Sequence, residues 1–231
     1  MRLITKIPVI LTIFIVFLTG MIPAYHQHQD NQLCKNASKA FIEAVINNDL
    51  DSAKNLSCGK ISWQLQNAGE LPESHTISVM AQIISKNNNT ARVLTTCEMQ
   101  SKTRQDVAWY ELYLIKDIQE NAWKVYKIQE TLPDYKGSNT RIIDAEIISR
   151  AFILSKGQDA SDYLAGPALK AYQQIPSGIT EEPQHINLTP LQTGNKTALY
   201  KASYTIQDRQ VEILLHLYKL DAWHIVSINQ L

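Results

Sequence analysis

One eight-residue phrase occurs twice: Ala122-Trp123-Lys124-Val125-Tyr126-Lys127-Ile128-Gln129 and Ala222-Trp223-His224-Ile225-Val226-Ser227-Ile228-Asn229. Both copies read Ala-Trp-basic-(Val/Ile)-x-x-Ile-amide, and each follows a run with strand character, 109–115 and 211–220. Each closes a segment of about one hundred residues, which is ordinary domain size. Self-similarity at that period points to a duplicated domain, because the periods of solenoid repeats are much shorter.

The same order of signals precedes both phrases. In the first segment, Ala37, Ala40, Phe41, Ala44 and Val45 recur at helical spacing. Asn47-Asn48-Asp49 breaks that helix, and 50–56 forms a second short one. Strands are predicted at 76–85, 90–100, 107–116 and 122–130, with 86–89 as an Asn-rich hairpin turn. In the second segment, helices are predicted at 142–155 and 160–172, the first carrying Ile143, Ile147, Ala151 and Leu154 on one stripe. Residues 177–180 read as a loop, and strands follow at 185–191, 197–207, 211–220 and 222–230. Asn88 through Gln100 lies over Asn195 through Gln207 at an offset of 107, against 100 between Trp123 and Trp223. The difference falls in a turn, where insertions are tolerated. The Pro, Gly and Ser of 131–140 mark the linker. The resulting division is 1–25 anchor or signal peptide, 26–35 polar stalk, 36–131 first domain, 132–140 linker and 141–231 second domain.

The 231 residues carry 22 basic and 22 acidic side chains. A chain without net charge lacks the positive field a nucleic-acid binder needs, so no nucleic-acid partner is expected. Arg2 and Lys6 precede an apolar run, 7–22, with no acidic residue before Asp30. Two readings export the body. A single-pass anchor would hold it outside the cytoplasm, with the basic end inside. Alternatively, cleavage after Ile22-Pro23-Ala24 would release a secreted protein starting at Tyr25. The anchor is the working expectation. For an exported chain, Cys34 and Cys58 are expected to pair across the helical hairpin, leaving Cys97 as a buried thiol. His26 and His28 lack carboxylate or thiol partners, and no metal or cofactor is expected.

Two helices followed by a curved antiparallel sheet ending in Trp-x-(Val/Ile)-x-x-Ile resembles the NTF2-like cone fold. Phe41 through Leu56 fits its helix, Asn-Asp turn and Ala-x-x-Leu, and Asp159-Ala-Ser-Asp-Tyr-Leu-Ala165 fits the second copy. In such a fold, Trp123 and Trp223 would be structural, each closing a core where its last strand meets the helices. An anchor followed by tandem domains of this kind, with Asp162 through Ala168 and Ile175-Pro-Ser-Gly-Ile179, resembles the TcpC-like conjugal transfer scaffolds of Gram-positive bacteria. The resemblance implies an α+β chain with two tandem cones and a non-enzymatic role in a cell-envelope complex, a conjugation or type IV secretion apparatus. Its partners would be other envelope proteins and the membrane, with a homo-oligomer left open.

NTF2-like enzymes place an acid or base at inward strand positions. Glu98 and Glu111 in the first unit, and Glu212 and His216 in the second, are the side chains to weigh. Glu212 and His216 lie four residues apart on one strand face and could form an acid–base pair. The solvent-facing alternative is the default for polar strand residues. Trp109, Tyr110 and Tyr113 could stack a ligand, with core packing or a protein contact the stronger reading. No phosphate-binding glycine loop, His-Glu-x-x-His, Cys-x-x-Cys or Gly-x-Ser-x-Gly occurs. The expected function is a scaffold; a small-molecule binder or enzyme using one cone as a pocket is the alternative.

Overall fold

The computed structural model describes residues 6–68, 74–102, 104–155, 157–172 and 182–231, without the side chains of 6–24 and 157–159. Helices α1 (Lys6–Ile46), α2 (Leu50–Asn55) and α3 (Gly59–Gln66) precede strands β1 (Ser74–Lys86), β2 (Thr90–Ser101), β3 (Gln105–Asp117) and β4 (Ala122–Glu130). Next come helix α4 (Ile143–Leu154), the 3-10 helix η1 (Gly157–Tyr163) and helix α5 (Gly166–Tyr172). Strands β5 (Gln184–Thr193), β6 (Thr197–Ile206), β7 (Arg209–Lys219) and β8 (Trp223–Gln230) complete the chain. The two sheets are antiparallel and each runs in chain order. The chain is therefore α+β, with helices packed on two four-stranded sheets.

Local chemistry sets the turns. The Asn87 side chain accepts the backbone N–H groups of Asn89 and Thr90 and so closes the β1–β2 hairpin. Gln207 and Asp208 both have positive φ, as a type I′ two-residue hairpin turn requires. Asp49 caps α2 by accepting the Ser52 N–H.

Both units use one device to seat the last strand. Val125 and Ile225 stand two residues beyond Trp123 and Trp223. Each makes an isolated parallel bridge to the segment leaving a short helix, at Ser57 and Leu164 respectively. Each last strand also shifts register once, between Tyr113 and Leu114 and between His216 and Leu217. The bulge adds Tyr126 in β4 and Val226 in β8, and such an insertion bends and twists the sheet.

Each unit has its own core. Phe41, Ile42, Leu112, Leu114, Trp123 and Val125 are buried in the first, and Leu164, Tyr200, Leu215, Leu217, Trp223 and Ile225 in the second. A third cluster joins them, formed by Val107, Trp109, Ala165, Tyr218 and Val226. Trp109 meets Tyr218 edge-on at 5.1 Å. Around it, Glu98 pairs with Lys196 at 2.6 Å and accepts from the Tyr218 hydroxyl at 2.9 Å. Gly166 donates its N–H to Asp106, and the Arg104 guanidinium donates to the Leu164 carbonyl. The linker is also docked: Ser138 and Thr193 exchange backbone hydrogen bonds.

Several readings differ from the structure. Residues 26–35 continue α1 and do not form a stalk. Asp30, Cys34, Ser38 and Phe41 lie at helical spacings, and the last three are buried against the sheet. Helix α3 had no counterpart among the predicted elements. The stripe Ile143, Ile147 and Leu154 faces outward, because Ala145, Ser149 and Ile153 form the buried face. The small pair brings α4 close to the sheet, and the Ser149 hydroxyl is satisfied by the Ala145 carbonyl at 2.8 Å. Ser38 does the same with Cys34 in α1. All three cysteines are free thiols, so the Cys34–Cys58 bridge is not formed. Cys34 faces the sheet from α1, whereas Cys58 stands just before α3 on the segment bonded to Val125. Among the described residues no helix is long and apolar enough to cross a membrane. The run at 7–22 lies in the part of α1 whose side chains are not described, so the anchor finds no support there. Residues 1–5, with Arg2, the loop at 177–180 and the phrase Ile175 through Ile179 lie outside the described residues.

Candidate functional site

Glu212 and His216 share a face of β7, opposite the buried Ile213, Leu215 and Leu217. They therefore lie outside the core and take separate partners. Glu212 pairs with Lys201 on β6 at 2.8 Å. His216 holds Asn229 on β8 at 3.2 Å, and Tyr135 of the linker packs edge-on over its ring at 5.0 Å. Burial lowers the His216 pKa, which favours the neutral ring. His216 Nδ1 and the Tyr135 hydroxyl are buried without a partner among the described residues. The arrangement fastens the linker to the outer face of the second sheet and offers no converging acid and base.

Glu111 is likewise committed, bonded to Arg92 at 2.6 Å. Glu98 belongs to the junction between units. Burial alone would raise its pKa, but the bonds from Lys196, Tyr218 and Ser78 outweigh it and hold the carboxyl below its ordinary value. Cys34 and Cys97 are pushed up to about 11 and about 12 by burial, which leaves them as poor nucleophiles. Trp123 and Trp223 are 2% and 4% exposed. Trp123 donates its indole N–H to Asp30 at 3.1 Å, while Trp223 sits in the second core. Trp109 fills the junction, and Tyr113 takes Arg92 and Lys127 against its ring.

Two features stand out that residue types alone did not signal. The first is a cleft of about 700 Å³ between α1 and the β1–β2 and β3–β4 turns. Asp30 reaches into it between Lys86 at 2.5 Å and Lys116 at 2.8 Å. Burial works to raise the Asp30 pKa, but the two ammonium groups and the Trp123 N–H bring it down to about 2. These partners lie more than fifty residues from Asp30 in sequence, so only the hairpin geometry brings them to it. The second is the outer face of α4, where Ile143, Ile147 and Leu154 are 73%, 58% and 48% exposed. The corresponding outer face of α1 presents Gln32, Asn36 and Glu43, with Leu33 beside them 43% exposed. The duplicated Ser38 and Ser149, each buried and bonded four residues back, were the signal that could have placed both helix faces correctly.

No protein-family model matches this chain, and no curated relative matches it. Among solved structures, one described as "Ntf2 like protein involved in plasmid conjugation" aligns at 11% identity over 87% of this chain and 97% of that one, with a TM-score of 0.37.

Proposed function

We propose that the chain is a membrane-anchored, exported, non-enzymatic scaffold that contacts other proteins of a cell-envelope complex. The supporting observation is the outward apolar face of α4, Ile143, Ile147 and Leu154. Large exposed apolar residues grouped on one helix face are the usual mark of a protein contact. The outer face of α1 is more polar, with Gln32, Asn36 and Glu43 beside Leu33, and serves as the comparison. The cone interiors support the same reading. Tyr200, Leu215, Leu217 and Ile225 are wholly buried in the second core. Glu212 and His216, the side chains weighed as an acid–base pair, serve sheet and linker. The resemblance of residues 162–168 to the conjugal scaffolds suggests conjugation or type IV secretion as the setting, and that of residues 41–56 and 159–165 to NTF2-like domains suggests the fold.

The anchor is tested in cells. Membranes washed with alkaline carbonate are expected to retain the chain, and protease added outside wall-stripped cells is expected to digest residues 26–231. A soluble mature protein beginning at Tyr25 would establish signal cleavage and overturn the anchored reading.

A further inference from the structure

The cleft beside Asp30 has a composition and a position that point to a ligand. It is lined by Asp30, Lys86, Asn87, Asn88, Lys116 and Asn121, among others. Two ammonium groups face one carboxylate, so the lining carries excess positive charge. Each ammonium has three donors, and the structure gives each one bond to Asp30. Both lie near the Trp123 ring, 5.6 and 5.9 Å from its centroid, so the charges are held in place before any ligand arrives. The three Asn side chains add neutral amide donors. A volume of about 700 Å³ would accept a group much larger than a bare ion.

Position supplies the second argument. Helix α1 is continuous from Lys6 to Ile46, so the apolar run at 7–22 and Asp30 share one rod. At about 1.5 Å per residue, Asp30 stands roughly 12 Å beyond Ile22, the last residue of that run. The headgroup layer on one side of a bilayer is roughly 5–8 Å thick, so the cleft stands just beyond its outer edge. The same end of the unit exposes Tyr25 on α1 and Ile118 in the β3–β4 turn, 67% and 80% accessible. A Tyr and an exposed aliphatic residue beside paired lysines suit a surface that meets lipid headgroups.

We propose that the cleft between α1 and the β1–β2 and β3–β4 turns binds the phosphate of an anionic lipid headgroup, with Lys86 and Lys116 as its cationic contacts. The inference rests on the anchored reading of α1. The full chain in neutral detergent micelles, titrated with short-chain phosphatidylglycerol or phosphatidylcholine and followed by native mass spectrometry, tests it. Phosphatidylglycerol is expected to bind at least tenfold more tightly than phosphatidylcholine. Lys116→Gln should weaken that binding about fivefold, the effect of one lysine near an anionic surface. Asp30→Asn removes the competing carboxylate and should strengthen binding by a similar factor. The opposite signs separate ligand binding from loss of structure, because both variants remove a tie between α1 and the sheet. Equal binding of the two lipids, or weaker binding in Asp30→Asn, would overturn the proposal. So would inorganic phosphate that displaces the lipid at equal concentration, which would make the cleft a site for a soluble anion. Carbonate extraction from membranes reports on the anchor independently, so failure of the anchor and failure of the cleft remain distinguishable.

Discussion

Trp109→Ala is expected to turn one cooperative unfolding transition into two. Trp109 is buried against Val107, Ala165, Tyr218 and Val226 and belongs to neither unit's own core. Truncating a buried Trp typically costs about 3–5 kcal/mol, and the edge-on contact with Tyr218 is lost with it. That loss should fall on the coupling between the units, because the residues of the two cores remain in place. Gly166→Ala gives an independent check. Gly166 has φ +56°, and a Cβ there would stand 2.6 Å from the Val107 carbonyl oxygen. The left-handed backbone alone costs a non-glycine residue about 1–2 kcal/mol, and the carbonyl contact would push the units apart. Differential scanning calorimetry should show a single peak for the parent and two resolved peaks for each variant. A single peak shifted downward in both variants would mean that the units unfold as one body without this junction.

Trp123→Ala should unfold the first unit outright. The indole is 2% exposed, packs in the first core and donates to Asp30. Its loss therefore combines a core cavity of about 3–5 kcal/mol with a half-buried carboxylate deprived of one donor. Set against a total of about 5–15 kcal/mol for a typical domain, most of the stability of that unit disappears. Far-UV circular dichroism at room temperature should show loss of β-sheet signal, with the second unit's melt retained at reduced cooperativity. A Trp123→Ala protein within about 1 kcal/mol of the parent in urea would contradict the role assigned to this residue.

The sheets were legible because strand alternation and the repeated Trp phrase are local signals. Ile213, Leu215 and Leu217 announce the inner face of β7, and the same alternation places Glu212 and His216 outside. Helix faces were harder to read. In α4 two apolar stripes compete, and the longer side chains of Ile143, Ile147 and Leu154 outweigh Ala145 and Ser149 in any hydrophobicity count. Close approach to the sheet decides for the small residues, and that is a tertiary fact. The stalk was misread for a related reason. His, Gln and Asn at 26–32 look like a linker, but Asp30 and Cys34 are fixed by partners on strands far along the chain. The cleft was illegible as well, since Lys86 and Lys116 become neighbours only when the two hairpins end on one side of α1. The docking of Tyr135 over His216 joins a linker residue to a strand residue, and no periodicity links them.

The scaffold reading turns on whether the outer face of α4 meets another protein. A photo-crosslinking amino acid placed at Ile147 in the full chain, expressed in its native cells, addresses this directly. The same probe at Glu43, on the outer face of α1, serves as the control. The account predicts a discrete adduct with a different cell-envelope protein from position 147 and none from position 43. It also predicts that the adduct disappears when Leu154→Asp is introduced without a change in melting temperature. No adduct at position 147, equal adducts at both positions, or an adduct made only of two copies of this chain would contradict it.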